Sequence, residues 1–243
     1  MYGHIFHNVD RPSEELLGKF SDVWTTTLCD CMGRHGVMNS EIRPIYDGIR
    51  LVGSALTVLC FPADNLTTHK ALLMIKPGDV LVIDEGGYGT GTFGHNMSLH
   101  ARAAGALGVV SSGSIRDLAL LRRDKFPIFC TGVNPRSPQK NTPGSINVPV
   151  TVGGLVVNPG DIIVADDDGV AVVPLAIAED IATKAAERQT MEVDQAAGID
   201  SKGERPLEIL YGATWVDERL KGKVVEHHDP VPRPSGLVGP QLP

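Results

Sequence analysis

The feature that most constrains the fold is a turn-and-strand pattern that occurs twice in the chain. Residues 76–84 (Lys-Pro-Gly-Asp, then Val-Leu-Val-Ile-Asp) share it with residues 158–166 (Asn-Pro-Gly-Asp, then Ile-Ile-Val-Ala-Asp). Proline presets φ and glycine accepts positive φ at the centre of a type II turn, so each Pro-Gly predicts a turn into a short buried strand. A solenoid would need three or more copies. The pattern therefore predicts two layers of one β-rich domain.

Helical and alternating patterns surround these two units. Serine and asparagine at positions 13 and 65 are predicted helix caps, and a further helix is predicted to start near Asn96. The predicted helices cover residues 13–20, 25–33, 65–74 and 175–190. The predicted strands cover residues 49–60, 108–110, 126–130, 146–157 and 170–173. Strands mixed with helices in this way predict an α/β fold.

Composition excludes several classes of protein. At 243 residues the chain can bury a full core, and its net charge of −7 argues against a broad nucleic-acid footprint. No apolar stretch reaches the ~18–20 residues needed to cross a bilayer, and residues 1–12 contain no apolar signal core. The four cysteines are too few for a disulfide scaffold, and Cys29 and Cys31 lack zinc spacing. We predict a cytoplasmic protein with reduced thiols and no nucleic-acid or membrane partner.

A charged pair follows the apolar run of residues 108–110 and a Ser/Gly turn. Arg116 and Asp117 come at this strand exit, where loops often carry chemistry. Arginine can bind a carboxylate through two parallel hydrogen bonds, and aspartate can hold a divalent cation that polarises a carbonyl. A glycine bend at residues 94–97 would add backbone N–H groups at a helix N-terminus. Together these parts predict a site for a small 2-oxo acid.

Three other motifs have competing interpretations. Residues 89–94 satisfy G-x-G-x-x-G and leave a nucleotide-binding protein open, although the tight strand-to-helix turn and the acidic ribose ligand are missing. Residues 166–168 are three consecutive aspartates, but successive turn residues rarely converge on one ion, so we interpret them as turn chemistry. His69, His95 and His100 have no recognised metal-ligand spacing.

An ordered series of motifs resembles a known family. Residues 53–58, 77–82, 94–97, 113–117 and 157–170 resemble the RraA-like family, and within it the 4-hydroxy-4-methyl-2-oxoglutarate / 4-carboxy-4-hydroxy-2-oxoadipate aldolases. The ordered series is far more specific than any one of its motifs.

The resemblance has consequences for fold and assembly. It implies a layered α/β/β/α sandwich, with residues 1–200 as a single RraA-like domain and residues 201–243 as a C-terminal extension or arm. It also implies a homotrimer or homohexamer.

The resemblance also implies roles for individual residues. Arg116 is expected to contact the pyruvate part of the substrate, and Asp117 to coordinate Mg²⁺ or Mn²⁺. Substrate contacts of the bend, made partly through backbone N–H groups, fall on Gly94, His95, Asn96 and Met97.

Two details of the site differ from the family or stay open. Aldolases of the family commonly have Gly-Asp-Leu-Leu at the bend, where this chain has Gly-His-Asn-Met, so His95 replaces an acidic side chain. The family also uses a glutamate from the C-terminal helix of a neighbouring subunit. Glu187 and Glu192 are the candidates for that acid.

These expectations combine into one predicted function and one alternative. The prediction is a metal-dependent (class II) pyruvate aldolase that cleaves a 4-hydroxy-2-oxo acid, a carbon–carbon lyase. Oxaloacetate decarboxylation passes through the same enolate and is the expected second activity. The alternative is the RraA branch of the family, a non-catalytic regulator that binds a ribonuclease or another protein. Asp117-dependent metal binding would favour the enzyme.

Overall fold

A computed structural model describes residues 2–87, 89–202 and 214–223. The chain divides into two compact units, Met1–Met191 and Glu192–Pro243. The domain boundary that we predict at residue 200 stays a prediction. The predicted arm beyond Lys221 lies outside the described residues, apart from residues 222 and 223.

The helices and strands have the following bounds. The helices are α1 (Glu14–Gly18), α2 (Thr25–Cys31), α3 (Leu66–Leu72), α4 (His95–Ala103), α5 (Leu118–Asp124), α6 (Ala178–Lys202) and α7 (Thr214–Leu220), with a 3₁₀ turn at Leu175–Ile177. The strands are β1 (Arg43–Pro44), β2 (Leu51–Leu59), β3 (Asp79–Asp84), β4 (Gly91–Phe93), β5 (Gly108–Ser111), β6 (Ser114–Ile115), β7 (Ile128–Cys130), β8 (Gly132–Val133), β9 (Ser145–Ile146), β10 (Val150–Val152), β11 (Leu155–Val157), β12 (Ile162–Asp166) and β13 (Gly169–Val173).

One mixed sheet organises the first unit. Its strand order is β1-β7-β5-β3-β2-β12-β13, and β9 also pairs with β2. The strands β2, β3, β5 and β7 run parallel, while β12 is antiparallel to β2 and β13 is antiparallel to β12. The predicted α/β class is confirmed, as is the predicted turn at residues 166–168, which leads from β12 into the antiparallel β13.

The sheet is buried on both faces. Successive residues of β12 alternate between two apolar clusters: Ile163 and Ala165 join the larger one, whereas Ile162 and Val164 join the smaller one. The smaller cluster also contains Phe20 from the segment after α1. This burial on both faces explains why the strands are nearly continuous apolar runs.

The two turn-and-strand units lie in this one sheet, on either side of β2, rather than in separate layers. Each turn is closed by its own aspartate. The Asp79 and Asp161 carboxylates accept the N–H groups of the residues three positions earlier, Lys76 and Asn158, at 2.8 Å in both cases. Glycine is required inside both turns because φ is +89° and +85° there.

The cap of α1, the state of the cysteines and the length of α6 were also predicted. The Ser13 hydroxyl caps α1 by accepting the Leu16 N–H, as predicted. All four cysteines are free thiols, also as predicted. The predicted helix at residues 175–190 is longer than expected, since α6 continues to Lys202.

Within the described ranges, no helix has the length and apolar character needed to span a membrane.

We expect Asp161→Ala to destabilise the protein. The buried Asp161 carboxylate accepts two backbone N–H groups, from Asn158 and Leu175, and truncation leaves both donors without that acceptor. Urea denaturation should show a loss of about 2–3 kcal/mol in the free energy of unfolding. The control is Asp168→Ala in the exposed β12–β13 turn, with an expected change within about 0.5 kcal/mol. Equal effects of the two variants would contradict this account of the turn.

Candidate functional site

The site is built where two short parallel strands end side by side. The strand β4 is parallel to β6 in a small sheet, and the Arg116 N–H continues their pairing by donating to the Phe93 carbonyl at 2.9 Å. The chain leaves β4 into α4 and leaves β6 into α5. Because both exits lie at the same sheet edge, Gly94 comes next to the Arg116–Asp117 pair. The G-x-G-x-x-G motif thus contains a strand and not a nucleotide-binding turn.

Asp117 joins the starts of α4 and α5. Its backbone is left-handed (φ 62°, ψ 33°), and its Oδ2 atom accepts the His95 N–H at 3.0 Å. Gly94 makes this approach feasible, because a Cβ atom there would lie 2.6 Å from Asp117 Oδ2. The glycine at position 94 is therefore required by close contact.

The Arg116 side chain extends along the wall of the site. Its Nη1 atom donates to Ser137 Oγ at 2.6 Å, and its Nε atom lies 3.8 Å from Asp117 Oδ2. The side chains of Arg116 and Asp117 are 40% and 39% exposed. Both charged groups are therefore accessible to a ligand.

These residues face one cavity of about 190 Å³. It is lined by Asn65, His69, Thr92, Gly94, Asn96, Met97, Arg116, Asp117, Pro138 and Lys140. The structure thus brings together five of the six residues that we predict for the substrate and metal. The sixth, His95, contributes its backbone N–H to Asp117 but is not part of the lining.

The His95 ring is held outside the cavity. Its Nε2 atom lies 2.7 Å from Asp124 Oδ2 at the end of α5. Hydrogen bonds from Arg123 and then from His95 lower the pKa of Asp124 to about 2. The histidine that replaces the expected acidic side chain therefore packs against the next helix.

Part of the cavity wall comes from residues that we did not predict as site residues. Asn65 stands at the N-cap position of α3 as predicted, but its side chain makes no capping bond. Instead, Asn65 Nδ2 donates to the Thr92 carbonyl at 2.8 Å, and Asp64 Oδ1 accepts the Leu66 N–H. Four-residue spacing places Asn65 and His69 on one side of the first helical turn, which is the signal that could have revealed them.

A buried aspartate brings the loop after β8 to the cavity. Asp64 Oδ2 accepts the N–H groups of Asn141 and Thr142 at 2.7 and 2.9 Å. Burial acts to raise the pKa of Asp64, but these backbone donors and that of Leu66 lower it below its usual value. The anchored loop positions Lys140 at the cavity beside Pro138.

The metal and the two glutamates remain predictions. No group of three or more His, Cys, Asp or Glu side chains that could hold a metal occurs within residues 2–87, 89–202 and 214–223. The cavity supplies one carboxylate, Asp117, and Mg²⁺ is often bound by one or two carboxylates together with water and substrate oxygens. The donor set fits that water-rich binding mode. Glu187 and Glu192 lie on α6 with exposed side chains and do not line the cavity.

A family model described as RraA-like, Aldolase/RraA, matches residues 25–172. The chain belongs to the RraA-like family. This RraA-like chain is 36% identical, over 176 residues, to a Halalkalibacterium halodurans protein named "Putative 4-hydroxy-4-methyl-2-oxoglutarate aldolase", covering 72% of this chain and 84% of that protein. A Burkholderia multivorans protein of the same name is 37% identical over 155 residues, covering 61% and 94%.

A solved structure extends the comparison to another branch. Streptomyces coelicolor RraAS2, described as an unusual member of the RNase ES inhibitor RraA protein family, superposes with a TM-score of 0.71 and 32% identity. The match covers 78% of this chain and 99% of that protein. RraA-like proteins thus include relatives with an aldolase name and relatives named as ribonuclease inhibitors.

A buried carboxyl group lies between the large sheet and β4. Glu85, at the end of β3, accepts a hydrogen bond from Ser111 Oγ at 2.5 Å and is 1% exposed. Gly113 leaves room for it, since a Cβ atom there would lie 2.0 Å from Glu85 Oε2. Burial raises the pKa of Glu85 to about 7, although the Ser111 and Thr92 hydroxyls oppose the shift.

The raised pKa predicts a pH-dependent stability. The folded protein binds the Glu85 proton more tightly than the unfolded chain does, so the stability that Glu85 contributes is present below pH 4.5 and is lost as pH rises through about 7. The full shift corresponds to about 3 kcal/mol. From pH 5 to pH 8, Glu85→Gln should therefore gain about 2–3 kcal/mol of unfolding free energy relative to wild type.

Urea denaturation of both proteins at the two pH values measures this change. Glu41→Gln, at an exposed glutamate, is the matched control and should show the same difference from wild type at both pH values. A Glu85→Gln difference that does not change with pH would show that Glu85 does not titrate in this range.

Proposed function

We propose that this RraA-like protein is a carbon–carbon lyase of the pyruvate-aldolase type that cleaves a 4-hydroxy-2-oxo acid. The observation that carries the proposal is that Arg116 and Asp117 line one cavity with the start of α4. The aldolase names of relatives at 36% and 37% identity support the same reaction class. The proposal includes oxaloacetate as a second substrate, Mg²⁺ or Mn²⁺ as cofactor, and a trimeric or hexameric cytoplasmic protein.

The start of α4 supplies donors for an anion. Ser98 N–H makes the first intrahelical bond, to the Gly94 carbonyl at 3.1 Å, so the N–H groups of Asn96 and Met97 have no acceptor within the helix. Both residues line the cavity. The helix dipole adds partial positive charge at this end. A carboxylate or enolate oxygen bound here would satisfy these donors.

Arg116 and Lys140 add full positive charges to the same cavity. The Arg116 guanidinium binds the carboxylate of the 2-oxo acid and fixes the plane of its carbonyl group. Donors that are already in place stabilise the enolate oxygen as charge develops on it. Asp117 would hold the divalent cation, which supplies a Lewis acid for the 2-oxo carbonyl when bound.

Removing either charged group should abolish most activity. We expect Arg116→Gln and Asp117→Asn each to lower kcat/KM for pyruvate release by about 10²–10³-fold, measured with Mg²⁺ or Mn²⁺ in a coupled assay. EDTA should abolish the wild-type reaction, and added Mg²⁺ should restore it.

Matched controls lie outside the cavity. Arg123→Gln changes an arginine that also precedes an aspartate but is 64% exposed, and Asp168→Asn changes an exposed turn aspartate. Both should retain wild-type rates. Activity that is unaffected by EDTA, by Arg116→Gln and by Asp117→Asn would contradict the proposed mechanism.

The contact between Gly94 and Asp117 gives an independent test. The new Cβ atom of Gly94→Ala would lie 2.6 Å from Asp117 Oδ2, so the carboxylate must move. A displacement of about 1 Å can lower a rate by about 10²-fold, and we expect a loss of that order in kcat. Gly18→Ala is the control, because its Cβ would meet no atom within 4 Å. Equal rates for wild type and Gly94→Ala would show that the Asp117 position is unimportant.

A second candidate function rests on the relation to Streptomyces coelicolor RraAS2. In that case the protein would bind a protein partner, such as a ribonuclease, without catalysing a reaction. Calorimetry with Mn²⁺ separates the two functions. Binding that Asp117→Asn abolishes favours the lyase, whereas no binding together with no pyruvate release favours the regulator.

A further inference from the structure

One wall of the cavity contains two buried polar atoms that have no hydrogen-bond partner within the described part of the chain. They are Asn65 Oδ1 and His69 Nε2. Asn65 is only 4% exposed. An unpartnered buried polar group is destabilising, so such groups are rare unless a ligand hydrogen-bonds to them. Two on one wall of a small cavity indicate a polar ligand there.

The backbone fixes the orientation of this wall. Asn65 Nδ2 is occupied by the Thr92 carbonyl, which leaves the Oδ1 atom of the same amide without a partner. The His69 N–H donates to the Asn65 carbonyl at 3.1 Å, so the imidazole lies one helical turn from the amide. Arg116 and Asp117 line the same cavity. A 2-oxo acid held by its carboxylate at Arg116 thus has polar groups available for its other half.

His69 is suited to accept a proton. Burial, then Lys140 on the loop and His100 on α4, lower the pKa of His69 below its ordinary value. The other charged groups nearby are Lys70 on its own helix and the Arg116–Asp117 pair on the lining. The imidazole is therefore neutral at pH 7, and a neutral imidazole has one nitrogen that accepts a hydrogen bond.

We propose that His69 is the general base of the cleavage reaction, an inference that rests on the proposed lyase function. His69 Nε2 removes the proton of the substrate C4 hydroxyl, and the oxygen electrons form the new C4 carbonyl. The C3–C4 bond breaks, and its electron pair forms the enolate of pyruvate. The proton on His69 then passes to C3, which gives pyruvate and restores the neutral imidazole. Asn65 orients the hydroxyl.

Oxaloacetate is a substrate that distinguishes the loss of a general base from the loss of substrate binding. Its decarboxylation gives the same enolate, but the substrate has no C4 hydroxyl and needs no base for the bond-breaking step. His69→Gln should therefore lower kcat for cleavage of a 4-hydroxy-2-oxo acid by about 10²–10⁴-fold. The rate of oxaloacetate decarboxylation should stay within about threefold of wild type. Arg116→Gln should impair both reactions.

The experiment uses 4-hydroxy-4-methyl-2-oxoglutarate and oxaloacetate with the purified full-length protein. His35→Gln, at an exposed histidine that is not part of the cavity lining, is the matched control and should retain both activities. Below pH 6.5, kcat/KM for wild-type cleavage should fall, and His69→Gln should lack this dependence. Added imidazole should restore cleavage in His69→Ala, a rescue that a structural role would not give.

A negative result can be assigned either to the role of His69 or to the lyase function as a whole. Equal losses in both reactions, or no loss in cleavage, would overturn the role of His69 while the lyase function stands. A wild-type protein that catalyses neither reaction, with metal supplied, would overturn the lyase function and with it the role of His69. Melting temperatures of the variants identify any that fail to fold, and His69→Asn then replaces the unfolded variant.

Discussion

The hydrogen bond from the His95 N–H to the Asp117 carboxylate is the interaction on which the cavity depends. It joins the first residue of α4 to the residue before α5, so both helix starts face the same space. The bond requires left-handed backbone at Asp117, which costs about 1–3 kcal/mol in a non-glycine residue. It also requires a residue without a side chain at position 94. The strained aspartate and the glycine are therefore two parts of one constraint.

The charge of the cavity differs from that of the whole protein. The chain carries a net charge of −7, whereas the cavity has two cations, Arg116 and Lys140, and one carboxylate, Asp117. Selectivity for an anionic ligand must then come from this local excess of positive charge and from the α4 donors, since the overall field opposes it. The loop that carries Lys140 to the cavity is held by two backbone N–H groups that donate to Asp64 and by backbone hydrogen bonds of Gln139 with Ala63 and Asn65.

Sequence patterns predicted one half of the site and missed the other for a physical reason. A charged pair after a strand and a glycine bend before a helix predicted that Arg116, Asp117 and Gly94 share a site, but the two short strands that bring them together, β4 and β6, were not predicted. The wall formed by His69 and Lys140 depends on hydrogen bonds between residues more than 70 positions apart, which no local pattern encodes. The two Pro-Gly-Asp turns predicted the strands well but not their placement around β2.

The orientation of His95 bears on how the reaction can proceed. The aldolases that this chain resembles commonly have an acidic side chain at that position, and here the ring is held by Asp124 outside the cavity. The bend therefore contributes backbone donors but no proton acceptor. In the proposed lyase reaction, a neutral His69 would supply an acceptor without adding negative charge beside the substrate carboxylate. Binding to a protein surface gives no reason for the unpartnered Asn65 Oδ1 and His69 Nε2 atoms beside a cavity of about 190 Å³, whereas the proposed hydroxy-acid substrate would supply hydrogen-bond partners for both.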